Sequence, residues 1–279
     1  AVTPFESRNV LACILAKDQG AKKTLARINN AEYLKRAHKP KFQEMGVDEL
    51  IYPETLAAKE IVASVKQPSA RVMHEFSDGK LILIGIKIRE NAPIVNKTLI
   101  EIALISQEFR AVAITRNDET IIPHGRDLIL AGDIAYFVTT PDSMPDLYEK
   151  TGKKMFEIKN IMILGGSRIA QKTAEKLSDD FNIKIIDSSK ERCQQIADRL
   201  SNVLVINGDG RNLELLKEEG IERMDAFIAV TGNSETNILT CQLAKKMGVK
   251  RTIAEIENVD FISLAEQVGI GSVINKKFI

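Results

Sequence analysis

A chain of 279 residues exceeds one average domain, so roughly two or three compact units are expected, each long enough to bury its own core. The 39 basic side chains nearly balance the 38 acidic ones, which argues against an extended nucleic-acid or membrane-surface footprint. The sequence has no run of about 18 apolar residues and no charged-then-apolar leader at its start, so it reads as a soluble, cytoplasmic protein.

In chain order, AVT reads as a strand remnant, followed by a helix to about Gln19, strand KTLARI, a helix to about Met45, strand ELIY and a further helix over AAKEIVASVK. KQPSARVMHEFSDG (66–79) reads as a connector. From Leu81, LILIGIKI, NKTLIEIAL, FRAVAIT, the NDE turn, TIIP and DIAYFVTT predict strand, helix, strand, tight turn, short strand and strand, a small α+β module. A second connector, PDSMPDLYEKTGKK (141–154), follows.

Residues 158–274 then alternate short β-branched runs with amphipathic helices. IMIL (161–164), IKII (183–186), VLVI (203–206), AFIAV (226–230) and RTIAEI (251–256) predict buried parallel strands. Helix-period apolar positions fall at 168–180, 189–200, 211–219, 234–247 and 259–267. Strand and helix in alternation predict an α/β fold of doubly wound parallel Rossmann sheets, with the small α+β module between the opening and closing units.

The chain also repeats itself. Residue n matches residue n+228 without a gap from Ala1/Ala229 to Tyr33/Phe261, with identities at Thr3/Thr231, Asn9/Asn237, Cys13/Cys241, Gly20/Gly248 and Asn30/Asn258. A separation this long means a duplicated domain rather than a stacked array. The first copy holds only the later part of the βα plan, which leads us to expect that the sequence is a piece of a longer protein. Its end reads the same way, since SVINKKFI parallels ELIYPETL but lacks a counterpart of AAKEIVASVK.

The candidate site centres on NIMILGGSRIAQKTAEKL (160–177), where a strand runs through Gly165, Gly166, Ser167, Arg168 and Ile169 into a helix. That context suits a dinucleotide loop, in which a glycine allows the turn and helix-start amides attract a pyrophosphate. Ser167 and Ala170 replace the second and third glycines of the strict pattern, so a purely structural turn remains an alternative. Asp187 ends the second strand where a carboxylate accepts ribose hydroxyls and repels a 2′-phosphate, favouring NAD(H) or an adenine nucleotide over NADP(H). The alternative for Asp187 is a cap for the helix opening at Ser188. Asn207-Gly208-Asp209-Gly210 and Thr231-Gly232-Asn233 end two more strands at the same edge, with ordinary turn chemistry as the alternative reading.

Cys13, Cys193 and Cys241 lack C-x-x-C spacing and read as buried reduced thiols. His38, His74 and His124 have no metal-ligand neighbour at helical spacing and read as surface residues. G-x-S-x-G, H-E-x-x-H and Tyr-x-x-x-Lys are all absent, so the nucleotide loop comes without a recognisable catalytic set. A regulatory nucleotide sensor is the leading reading; an NAD-dependent oxidoreductase with an unrecognised substrate site and a vestigial interaction module are the alternatives.

GGSRIA, Asp187, GDGRN, DAFIAVTGNSETN and the module ending PHGRDLILAGD together resemble the peripheral NAD-binding subunits of bacterial Trk potassium uptake, built from tandem regulator-of-potassium-conductance (RCK) domains. The resemblance covers essentially the whole chain. It implies that 1–78 is the second half of a first Rossmann unit with its crossover helix, 79–150 its small partner domain, and 156–279 most of a second Rossmann unit. Further implications are NAD or NADH as ligand, with ATP or ADP as alternatives, a homo-oligomeric ring, and docking on the cytoplasmic face of a potassium-translocating integral membrane subunit that the ring gates. On that pattern the second unit holds pyrophosphate at Gly165, Gly166, Ser167, Arg168 and Ile169, ribose at Asp187, and other nucleotide atoms near Asp209 and Thr231. The first unit would use Val2, Thr3 and Arg27. Arg27 is matched by Glu255 across the repeat, so the two sites are expected to be unequal.

Overall fold

The computed structural model describes residues 1–66, 72–77, 79–117, 119–153 and 156–276. The chain opens with α1 (Glu6–Asp18), β1 (Leu25–Arg27), α2 (Lys39–Glu44), β2 (Glu49–Ile51) and α3 (Pro53–Lys66). β1 and β2 pair in parallel, Leu25 beside Glu49 and Arg27 beside Ile51. Residues 1–3 form no strand element, yet Arg27 N donates to Ala1 O at 2.9 Å, so AVT runs beside β1. The helix that the sequence predicts up to Met45 is instead broken into a short 3-10 turn over Ala31–Leu34 and α2. Asn30 caps the 3-10 turn by accepting from Glu32 N at 3.0 Å. Pro40 is tolerated only in a first helical turn, so α2 has to begin beside it.

The middle unit contains β3 (Val72–Phe76), β4 (Leu81–Lys87), β5 (Lys97–Thr98), α4 (Leu99–Ile105), β6 (Phe109–Arg116), β7 (Glu119–Ile121), β8 (Leu128–Ile129), β9 (Ile134–Thr139) and α5 (Met144–Lys150). Its main sheet is antiparallel in the order β3-β4-β9-β6-β7, and β5 pairs with β8 in a separate ladder. Both predicted connectors carry structure. β3 pairs along β4 as an edge strand, and α5 buries Met144, Leu147 and Tyr148 against the sheet. Pro145 in the first turn of α5, and its length of only two turns, leave little periodicity for the sequence to show. Residues 67–71, 78 and 154–155 of those connectors, Asp118 of the NDE turn and 277–279 lie outside the described residues.

The last unit alternates β10 (Asn160–Leu164), α6 (Arg168–Leu177), β11 (Asn182–Asp187), α7 (Lys190–Arg199), β12 (Val203–Asn207), α8 (Leu213–Glu218), β13 (Ala226–Ala229), α9 (Ser234–Lys246), β14 (Arg251–Glu255), α10 (Asp260–Gln267) and β15 (Ser272–Ile274). All six strands are parallel, in the order β12-β11-β10-β13-β14-β15. The order reverses between β10 and β13, which opens a crevice at their C-terminal ends.

Alternate strand residues feed two cores because successive side chains point to opposite faces. Ile161, Ile163, Ile183 and Ile185 pack with Ile169, Ala174 and Leu177 of α6 and with Ile196 of α7. Met162, Leu164 and Ile186 pack with Leu216, Ile238, Cys241 and Ala265 from α8, α9 and α10. The first of these cores also takes Ala57, Ile61 and Val65 of α3, so a helix from the opening unit covers a face of the last sheet. Ser64 Oγ donates to Ser272 Oγ at 3.1 Å and Lys66 pairs with Asp180 at 3.2 Å along the same contact. Cys13, Cys193 and Cys241 are buried free thiols, and burial pushes the Cys241 thiol up to about 12.

Candidate functional site

The turn after β10 is shaped by two glycines with different constraints. Gly165 has φ +97°, a conformation that L side chains rarely adopt, and a Cβ there would lie 2.9 Å from Val230 O. Gly166 keeps ordinary backbone angles, but a Cβ would lie 2.7 Å from Ile196 Cδ1 and 3.2 Å from Asp187 Oδ2. Close approach, rather than torsion, therefore demands the second glycine. Ser167 needs neither permission: it is the N-cap of α6 in extended geometry, and its Oγ accepts from Ala170 N at 3.3 Å. The first-turn amides of Arg168 and Ile169 have no intrahelical acceptor and stand at the positive end of the helix dipole.

Asp187 ends β11 and is 5% exposed. Its Oδ2 accepts from Gly166 N at 2.6 Å and from Arg192 Nη1 at 3.0 Å, and its Oδ1 accepts from Ser189 N at 2.8 Å. The cap reading is corrected: Ser189, not Asp187, caps α7 through its own side chain. Asp187 supports the turn before α7 and borders the crevice.

The crevice has a volume of ≈ 430 Å³ and its walls include Gly165, Ser167, Asp187, Asp209 and Thr231. Five of the sequence-predicted residues are thus brought together from four strand ends. Asp209 is held by Arg211 at 2.8 Å, and that guanidinium takes its carboxyl down to about 2. Thr231 is fixed by Asn237, whose Oδ1 accepts from Thr231 N at 3.0 Å and from Thr231 Oγ1 at 2.6 Å.

The remaining predicted residues stand elsewhere. Gly166 lies beneath Asp187, and Ile169 is in the core. Arg168 turns away from the crevice and donates through Nη1 to Asn29 O at 3.0 Å, lining a separate groove with Asn30 and Tyr52. Val2, Thr3 and Arg27 belong to the opening unit. There the second network recurs, Asn9 Oδ1 accepting from Thr3 N and Thr3 Oγ1 at 2.8 Å each, while Asn9 Nδ2 donates to Arg27 O at 2.9 Å. Glu255, the counterpart of Arg27, is 3% exposed and pairs with Lys276 at 2.8 Å; burial pushes its carboxyl up.

Arg192 lines the crevice without belonging to any of the sequence motifs, whereas Arg211 and Thr236 lie within GDGRN and DAFIAVTGNSETN without being singled out there. Arg192 lies in the first turn of α7, and only the pairing of β11 with β10 brings its guanidinium over the glycine turn. Arg211 could be suspected from its position directly after Gly210 at a strand end.

A parallel six-stranded sheet with a glycine turn and a strand-end carboxylate at its switch point, preceded by a small antiparallel module, defines a Rossmann-type protein with an RCK-like arrangement of parts. The TrkA-N domain family matches residues 161–276 and the TrkA-C domain family matches residues 83–152. A Trk system potassium uptake protein trkA homolog 1 of Methanosarcina mazei is 36% identical over 286 residues, covering 99% of this chain and 70% of the relative. A Trk system potassium uptake protein TrkA of Halomonas elongata is 30% identical over 269 residues, covering 95% of this chain and 59% of the relative. The chain belongs to the TrkA family. Among solved structures, one described as the GsuK channel bound to NAD shares the fold with a TM-score of 0.64 at 15% identity, covering 99% of this chain and 48% of that one. Among the described residues, no helix is long and apolar enough to cross a membrane.

Proposed function

We propose that this chain is a regulatory, non-catalytic part of a potassium uptake system, with an adenine nucleotide in the crevice between β10, β11, β12 and β13 as its effector. The observation that supports this reading most directly is the joining of Asp187 to the Gly166 amide at 2.6 Å. It ties the carboxylate to which we assign the ribose to the helix start to which we assign the phosphates. Gly165, Ser167 and the amides of Arg168 and Ile169 would hold the pyrophosphate, Asp187 the ribose, and Asp209 and Thr231 the edges of the bound nucleotide. NAD or NADH is the favoured ligand, and ATP or ADP would use the same groups.

The residues that would contact nucleotide sit on elements tied to the rest of the chain. Asn237, which fixes Thr231, also donates to Glu255 O at 2.8 Å, linking β13 to β14. α6 begins at the phosphate end of the crevice and packs against α3 from the opening unit. A nucleotide that shifts α6 would therefore move the two units relative to each other. That motion is the signal we assign to the ring, a homo-oligomer docked at the cytoplasmic face of a potassium-translocating membrane subunit. In this reading 1–78 and 156–279 are two unequal nucleotide-type units and 79–150 the small domain between them, with Val2, Thr3 and Arg27 as the first unit's contribution.

Titration calorimetry with NADH, NAD, ATP and ADP tests the proposal. Binding of at least one of them, lost in Asp187→Ala, is the expected result. Failure of all four to bind would overturn it.

A further inference from the structure

The charges lining the adenosine end of the crevice balance, and the Arg192 half of that balance belongs to no sequence motif. A strand-end carboxylate acting alone would repel a second negative charge at the 2′-oxygen of a ribose. Here, however, the charged residues lining the crevice are Asp187, Arg192, Asp209 and Arg211, two of each sign. Each carboxylate has its arginine within hydrogen-bond distance, Arg192 at 3.0 Å from Asp187 and Arg211 at 2.8 Å from Asp209.

Arg192 is the member of this set placed to act on a ligand. Its stem crosses the glycine turn, since a Cβ on Gly166 would lie 3.0 Å from Arg192 Cδ. Its side chain is 50% exposed and borders the crevice, whereas Asp187 is 5% exposed. A guanidinium carries five N–H donors in a planar fork suited to phosphate, and Arg192 directs Nη1 to Asp187. Asp187 does not depend on that bond for its burial. The amides of Gly166 and Ser189 serve its two oxygens, so Arg192 can turn toward a ligand without stranding the carboxylate.

We infer that Arg192 sets the 2′ specificity of this crevice. It cancels the repulsion by which Asp187 alone would reject a 2′-phosphate, and it offers that phosphate a fork of donors. The crevice then accepts 2′-phosphorylated adenine nucleotides alongside 2′-hydroxyl ones. This rests on the adenine-nucleotide reading of the site, and it removes the exclusion of NADP(H) that Asp187 by itself implies.

The test is calorimetry of the full chain with 5′-AMP and 2′,5′-ADP, which differ only in the 2′-phosphate, and with NADH and NADPH. Within each pair the dissociation constants should agree to about tenfold, and Arg192→Gln should weaken only the 2′-phosphorylated member by about tenfold or more. Arg192→Lys, which keeps the charge, should recover part of that loss. Binding of 5′-AMP and NADH with rejection of both 2′-phosphorylated partners by more than about a hundredfold would overturn the inference while leaving the nucleotide reading intact. So would an Arg192→Gln chain whose ratios are unchanged. Absence of binding by all four ligands would remove the nucleotide reading and this inference together.

Discussion

The backbone N–H of Gly166 donates to Asp187 Oδ2 across 2.6 Å, tying the glycine turn after β10 to the end of the neighbouring strand. Ser189 N occupies the other carboxylate oxygen at 2.8 Å. An asparagine at 187 could present its one oxygen to only one of these amides, leaving the other facing an NH2 group. Asp187→Asn is therefore expected to cost about 1–3 kcal/mol of stability in addition to any loss of ligand affinity. Urea denaturation measures the first effect. A variant as stable as the natural chain would show that the carboxylate does not organise the turn.

Asn237 is fully buried and makes the same set of bonds around Thr231 and β14 that Asn9 makes around Thr3 and β1. Thr3 is exposed, so water can replace what Asn9 loses, whereas the Thr231 network has less access to solvent. Asn237→Ala should cost about 2–3 kcal/mol and Asn9→Ala clearly less. Equal losses in thermal unfolding would contradict this ranking.

Ile61 on α3 is fully buried in the core formed by α6 and the last sheet. Truncation to alanine should cost about 2–5 kcal/mol, through lost transfer energy and a cavity. Because the cavity would open beneath α6, amide exchange in Arg168–Leu177 should accelerate beyond that in α9. Uniform acceleration across both helices would mean that α3 supports the chain only globally.

Asp209 titrates in the folded chain at about 2, below the ordinary 3.8, chiefly because Arg211 donates to it. A depressed carboxylate contributes stability above its unfolded value and loses it as pH falls through the folded one, so this pair should fade between about 3.8 and about 2. Both partners are exposed, which limits the pair's weight in overall stability. Carboxyl NMR should find the low midpoint and see it return toward 3.8 in Arg211→Ala. A midpoint already near 3.8 in the natural chain would dissolve the pair as a fixed feature of the crevice.

Much of the last unit was readable because parallel strands buried on both faces leave unbroken apolar runs, and turn residues separate them from helices of clear period. β3 and α5 were not. An edge strand with solvent on one side and a two-turn helix beginning near a proline carry too few apolar positions to stand out from a connector. Among site residues, Asp187 and the glycines were legible because a strand end and a turn restrict residue type. Arg192 was not, since arginine in a first helical turn is ordinary until the neighbouring strand is in place.

The internal repeat, the strand and helix order of the last unit, and the meeting of Gly165, Asp187, Asp209 and Thr231 at one sheet edge are all legible in the sequence, because they follow from residue identity, periodicity and parallel pairing. Only the tertiary structure decided that α3 serves the last sheet, that Arg168 reaches the opening unit's Asn29, and that Arg192 and Arg211 neutralise the crevice. The first two are contacts between residues far apart in sequence and the Arg192 pair joins a helix to a strand end, none of which local periodicity encodes; the Asp209–Arg211 pair is local, and only its place in the crevice is tertiary.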